Sequence, residues 1–142
     1  MSTAKVESYL FFEGYCEEAI EFYRRAVGAE VEMMMRYKES PEPPNPACQP
    51  PGCENKIMHA NLKIAGSNLM MSDGRCSGRT NFQGFSLSLS APTEAEAEKL
   101  FKALSEGGHV VMPLAKTFYS PKFGMVTDRF GLMWMVIVPQ AQ

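Results

Sequence analysis

The sequence predicts an α+β fold built from one β-α-β-β-β unit used twice. Three observations carry this. Residues 9–32 read as an extended run, an amphipathic helix and a second extended run; the same order returns in FSLSLSAPTEAEAEKLFKALSEGGHVV; and two further strand-like runs follow each copy.

In the first copy a turn at Glu13-Gly14 leads into a helix from Cys16 to Val27. Ala19, Ile20, Tyr23, Ala26 and Val27 recur at the spacing that gathers side chains on one helical face, while Glu17, Glu18, Glu21, Arg24 and Arg25 take the other. Gly28 stands where a left-handed cap ends a helix without a Cβ clash. In the second copy Thr93, with Glu96 three residues on, forms a capping box. Ala97, Leu100, Phe101 and Leu104 make the buried stripe, and Gly107-Gly108 is the stop. The remaining strands are expected at Lys56–Ile64 and Ser67–Asp73, then at Phe118–Thr127 and Leu132–Val138.

A tandem chain of this kind resembles the vicinal-oxygen-chelate superfamily of glyoxalases, bleomycin- and fosfomycin-resistance proteins and extradiol dioxygenases. The motifs FEGYCEEAIEFYRRAVGAEV, KIMHANLKIAG, NLMMSD and FGMVTDRFGLMWMV are similar to its PhnB-like branch, a bacterial type of sequence. The resemblance implies two sheets joined into one incomplete barrel, with helices outside and ligand inside, and a homodimer that covers exposed sheet edges. It also implies places for a divalent metal: Ser8, Met70, Gly84 or Ser86, and Met135. None of these is an imidazole or a carboxylate, so no metal or other cofactor is expected.

The 142 residues suit one domain, 1–142, with modules at about 4–74 and 82–139. A net charge of −2 offers no attraction to phosphate backbones, so no nucleic-acid partner is expected. Four cysteines are too sparse for a disulfide framework, and the N-terminus has no apolar leader. Both point to a reducing, cytoplasmic setting. No apolar run reaches the roughly 18 residues of a membrane span. Eleven methionines lie mostly in strand-like runs, where their adaptable side chains fill gaps. Glu39–Asn55 holds six prolines in seventeen residues and can be neither strand nor helix; a plain surface connection and a lid are both open readings.

Period-2 alternation assigns faces. Met58, Ala60, Leu62 and Ile64 should meet the helix, leaving Ile57, His59, Asn61 and Lys63 for the cavity. Tyr9 and Phe11 are expected on the helix side, with Ser8, Leu10 and Phe12 inward. Phe85, Leu87 and Leu89 should oppose Ser86, Ser88 and Ser90. In the last run Leu132, Trp134 and Val136 should oppose Met133, Met135 and Ile137. The expected ligand contacts are Ser8, Phe12, His59, Asn61, Ser86 and Met135.

His59 is the one catalytic candidate. It could bind a ligand oxygen or act as a general base, or be held by a neighbouring hydroxyl. His109 reads as a solvated residue at a strand start. Cys48 and Cys53 with His59 lack the regular spacing and fourth ligand of a zinc site. Cys16 sits at a helix N-terminus, which lowers a thiol pKa, but Glu17 and Glu18 oppose that. Glycine-rich nucleotide loops and nucleophile elbows are absent, and nothing supports the ubiquinone-pathway methyltransferase label sometimes given to PhnB-like sequences. The expected function is metal-free binding or sequestering of a small molecule. The alternative is a glyoxalase-like lyase or isomerase, or another enzyme of the superfamily, with a non-standard and possibly metal-dependent site.

Overall fold

The computed structural model describes residues 3–42 and 52–140. The chain divides into two compact units, Met1–Thr80 and Asn81–Gln142. The first contains β1 (Ser8–Phe11), α1 (Cys16–Val27), β2 (Glu30–Arg36), a 3-10 turn at Tyr37–Glu39, β3 (Ile57–Ile64) and β4 (Ser67–Ser72). Its open sheet has the order β1-β4-β3-β2, with β1 parallel to β4 and the other pairs antiparallel. The second repeats the plan with β5 (Leu87–Ser90), α2 (Glu94–Ser105), β6 (His109–Ala115), β7 (Phe123–Thr127) and β8 (Met133–Ile137), in the order β5-β8-β7-β6. These are the two β-α-β-β-β units read from the sequence. No helix among the described residues is long and apolar enough to cross a membrane.

Helix α1 buries Ala19, Ile20 and Tyr23 as its periodicity requires, and adds Cys16 and Phe22. Gly28 closes it at φ 69°. Helix α2 begins where Thr93 Oγ1 accepts a hydrogen bond from the Glu96 amide at 3.1 Å, and buries Ala97, Phe101 and Leu104. Gly108 is fixed by close approach: a Cβ there would stand 2.0 Å from the Thr127 carbonyl oxygen. In the first unit Ala60, Leu62, Ile64, Leu69 and Met71 form the sheet's side of the core. Each large apolar side chain so buried contributes on the order of 2 kcal/mol.

Three expected placements are corrected. Leu10 and Phe12 are the buried residues of the first run, and Phe12 meets the Tyr23 ring edge-on at 6.1 Å. Tyr9 and Phe11 therefore take the opposite face. The reason is the pairing with β4, which sets Leu10 beside the core residue Met71. Ile57, expected on the cavity side, is fully buried, because the register with β2 shifts between Met35 and Arg36 and the alternation breaks there. Strand β5 starts at Leu87 and β7 at Phe123, so Phe85 and Phe118 lie outside the sheet and are exposed. The split along β8 stands as read: Trp134 and Val136 are buried, and Met133, Met135 and Ile137 are half-buried. Most of the proline-rich segment, residues 43–51, lies outside the described residues.

One carboxylate ties the first unit together. Asp73, fully buried beyond β4, accepts at Oδ1 from the amides of Gly14 and Cys16, both at 2.8 Å, and at Oδ2 from the Ile57 amide at 2.7 Å. It thereby caps α1 from a distant part of the chain. Removing it strands the buried amides of Cys16 and Ile57, each bond to a charge being worth about 1.5–3 kcal/mol, while the half-buried Gly14 amide can turn to water. Asp73→Ala should lower the urea midpoint by the equivalent of about 3 kcal/mol without changing the slope. A loss below about 1 kcal/mol would show that water replaces the carboxylate.

Candidate functional site

The face of the first sheet turned away from α1 carries the polar chemistry. Strand pairing sets Tyr9, Met70, Asn61 and Met33 in one row across the four strands, and aligns His59 with Met35 and Phe11 with Ser72 in the next. Tyr9 and Phe11 are partly exposed and their rings lie 5.2 Å apart; His59, Asn61 and Met70 are half-buried.

The decisive contact is between Tyr9 Oη and His59 Nδ1 at 2.9 Å, with the two rings 5.5 Å apart. Burial raises the Tyr9 pKa above the ordinary phenol value, against a smaller lowering by the Ser72 hydroxyl hydrogen-bonded to it. A phenol hydroxyl both donates and accepts, so this contact fixes the orientation of the ring. That orientation leaves Nε2 without a hydrogen bond to the described residues and open to a ligand. Asn61 adds a second polar group, its Oδ1 shielded and without a hydrogen-bond partner.

Of the sequence candidates, His59 and Asn61 come together here. Ser8 alternates away from Tyr9, onto the face of Leu10, and Phe12 is core; neither joins them. Met135 and Ser86 belong to the second unit. Met135 pairs with Ser88 on the face away from the Trp134 core, while Ser86 precedes β5. Sequence reasoning missed Tyr9, which a one-residue change of strand phase brings to the site. The signal for it was the apolar pair Leu10 and Phe12, which bracket Phe11 and could have been matched to the helix instead.

The donors on this face do not fit a hard divalent cation. They are the thioethers of Met33, Met35 and Met70, an amide, and an imidazole engaged by a phenol; Glu32 on the neighbouring strand pairs with Lys63 at 3.7 Å. Among the described residues no three His, Cys, Asp or Glu side chains converge on one point.

The cysteines lie elsewhere. Cys16 is buried at the start of α1, and its thiol is pushed up by burial and then by the charges of Asp73 and Glu17. The helix end does not activate it, because Asp73 already occupies that end. Cys53 contacts Cys76 rather than His59, and burial followed by that contact pushes Cys76 up to about 12. Cys48 lies outside the described residues. His109 is exposed at the start of β6, as read.

A family model described as 3-demethylubiquinone-9 3-methyltransferase matches residues 4–137. The chain belongs to this family, whose members include PhnB-like proteins. Protein YjdN of Escherichia coli (strain K12) is 37% identical over 139 residues, covering 94% of this chain and 95% of its own. The crystal structure of protein PA1353 from Pseudomonas aeruginosa superposes with a TM-score of 0.83 at 41% identity, over 98% of this chain and 100% of that one. A PhnB protein from Bacillus cereus, described as a putative 3-demethylubiquinone-9 3-methyltransferase, gives 0.76 at 30% identity, over 95% and 99%. The paired β-α-β-β-β units are those of glyoxalase, bleomycin-resistance and dioxygenase domains.

The raised thiols have a direct consequence. At mildly alkaline pH, iodoacetamide should leave Cys16 and Cys76 of the native PhnB-like protein unmodified, and label both once urea unfolds it. A raised native pKa holds the proton on while the unfolded thiol ionises near 8.5. Stability should therefore decline as pH rises above that value, and the part due to Cys76 should level off near its native value of about 12. Rapid native labelling of Cys16, read by mass spectrometry, would contradict its burial.

Proposed function

We propose that this PhnB-like protein binds a small organic molecule on the His59 face of its first sheet and does so without a resident metal. The observation that carries the reading is the Tyr9–His59 hydrogen bond, which orients one imidazole among Phe11, Met33, Met35 and Met70. A few fixed polar groups in an adaptable apolar surround are what small-molecule sites use. Methyl transfer draws no support from the described residues, since the β1–α1 turn, Phe12-Glu13-Gly14-Tyr15, has a single glycine and no cradle for a donor's anionic groups.

The free thiols of Cys16, Cys53 and Cys76 favour a reducing, cytoplasmic setting. A homodimer is part of the proposal, because β2 and β6 are sheet edges carrying partly exposed Val31, Met33, Met34, Val110, Val111 and Met112. Sedimentation at micromolar concentration should give twice the 15.8 kDa chain mass, and a single-chain mass would overturn that part.

A thermal-shift screen across small metabolites and antibiotics tests the binding reading, since a ligand of the native state raises stability by RT ln(1 + [L]/Kd). A stabilising compound should shift the nuclear magnetic resonance signals of His59 and Asn61, and His59→Ala should abolish its effect. Elemental analysis after dialysis against a metal mixture should find no stoichiometric ion. One tightly held divalent ion per chain, lost on His59→Ala, would replace this reading with a metal-dependent one.

A further inference from the structure

The binding reading leaves the ligand's chemistry open, and two polar atoms on the same face narrow it. His59 and Asn61 are two residues apart on β3, so both side chains stand on one side and their Cα atoms are about 6.5 Å apart. His59 presents Nε2, which has no partner among the described residues; Asn61 presents Oδ1, a shielded acceptor with none either. A shielded acceptor left unmatched is destabilising, and a ligand that brings a donor relieves it. We propose that the Tyr9 hydroxyl donates to His59 Nδ1, which leaves the ring proton on Nε2, and that the molecule bound here carries a carboxamide-like group, an acceptor and an N–H donor on neighbouring atoms, joined to an apolar body.

The proposal rests on the binding reading above and goes on to name the ligand class. The group's acceptor atom receives Nε2–H of His59 and its N–H donates to Asn61 Oδ1. The two atoms of such a group are about 2.3 Å apart, and each forms a hydrogen bond of about 2.9 Å to its own strand residue. Met33 and Met70, the cross-strand neighbours of Asn61, flank its carbonyl with the most adaptable of apolar side chains, which can swing aside to admit the donor. Phe11 and Met35 line the next row, where the apolar body lies. The Tyr9 hydroxyl holds the imidazole at Nδ1, so Tyr9 is a positioning residue: it fixes which ring nitrogen carries the proton. A carboxylate satisfies His59 alone and leaves Asn61 unmatched, whereas an ammonium satisfies Asn61 alone and opposes the Nε2 donor.

The test uses benzamide, benzoate and benzylamine as probes of the full-length protein, read through the side-chain nitrogens of His59 and the side-chain amide of Asn61. Without any probe, His59 should show an unprotonated Nδ1 and a protonated Nε2, and Tyr9→Phe should let the proton redistribute. Benzamide should shift both residues and bind about tenfold more tightly than benzoate or benzylamine. Asn61→Ala should remove that advantage while leaving benzoate unchanged. A proton found on Nδ1, or benzoate or benzylamine binding as tightly as benzamide, overturns the proposal. The two levels of failure separate cleanly. If benzamide leaves these residues unmoved while another compound shifts them, the face is a binding site and the ligand class is wrong. If no compound moves them, both readings fall. The tautomer, measured on the unaltered protein, decides the relay even if Asn61→Ala does not fold.

Discussion

The first unit depends on the carboxylate of Asp73. A helix N-terminus leaves backbone amides unpaired, and α1 has no capping side chain of its own: Tyr15 occupies the cap position and makes no such bond. Asp73 fills the gap from the far side of β4 while clasping Ile57, whose amide it accepts and whose carbonyl its own amide reaches at 2.8 Å. One side chain thereby fixes where β4 ends, where β3 begins and how α1 enters. The turn it organises is held again by Glu13, whose φ of 50° is tolerated because its carboxylate accepts from the Ser77 amide at 3.1 Å and its carbonyl accepts from Gly78 at 2.8 Å. Gly74 suits that clasp through its φ of 56°, a left-handed conformation that other side chains rarely adopt.

Once α1 is fixed, the two faces of the sheet separate. Leu10, Phe12, Ala60, Leu62, Leu69 and Met71 go to the helix, which gives the fold its stability and leaves the other face under no obligation to be apolar. Tyr9, His59 and Asn61 occupy that second face. Because register in a sheet is all-or-none, the same pairing that places Met71 in the core delivers Met70 and Asn61 to the site. Stability and binding chemistry are thus alternate residues of the same strands.

How much of this was legible follows from the same alternation. Helices announce themselves through a stripe several residues wide, and α1 and α2 lie where their periodicity and glycine stops put them. Strand phase rests on much less. In Lys56–Ile64 the pattern assigned Met58, Ala60, Leu62 and Ile64 to the helix; the last three are buried, but Met58 is only half-buried and its neighbour Ile57 is buried instead, because a register shift defeats the pattern there. In β1 all of Tyr9, Leu10, Phe11 and Phe12 are apolar or aromatic, so period 2 carries no information, and the choice between faces is made by Met71 across the sheet and Tyr23 on the helix. That choice decided whether Ser8 or Tyr9 joined His59. A hydroxyl partner for His59 was among the readings of the sequence alone; its identity was not, because it comes from a residue fifty positions away. The capping role of Asp73 was hidden for the same reason.

Comparison of the two units explains why the polar site arises in the first. The second also buries an acidic side chain: Asp128 accepts from the Phe130 and Leu132 amides and from Trp134 Nε1 at 2.9–3.1 Å. That carboxylate serves the β7–β8 turn and anchors a tryptophan, whereas α2 is capped locally by Thr93. The two helices are thus started by different means within one architecture. In the first, the local residues at the helix entry are released from capping, and the chain just before it, β1, is free to carry Tyr9 and Phe11. In the second, the position in β5 that pairs with Met135 is Ser88, a side chain too short to reach across a strand as Tyr9 does to His59. The two units share one scaffold, and the remote cap accompanies the half whose first strand bears the long aromatic side chains that a binding face can use.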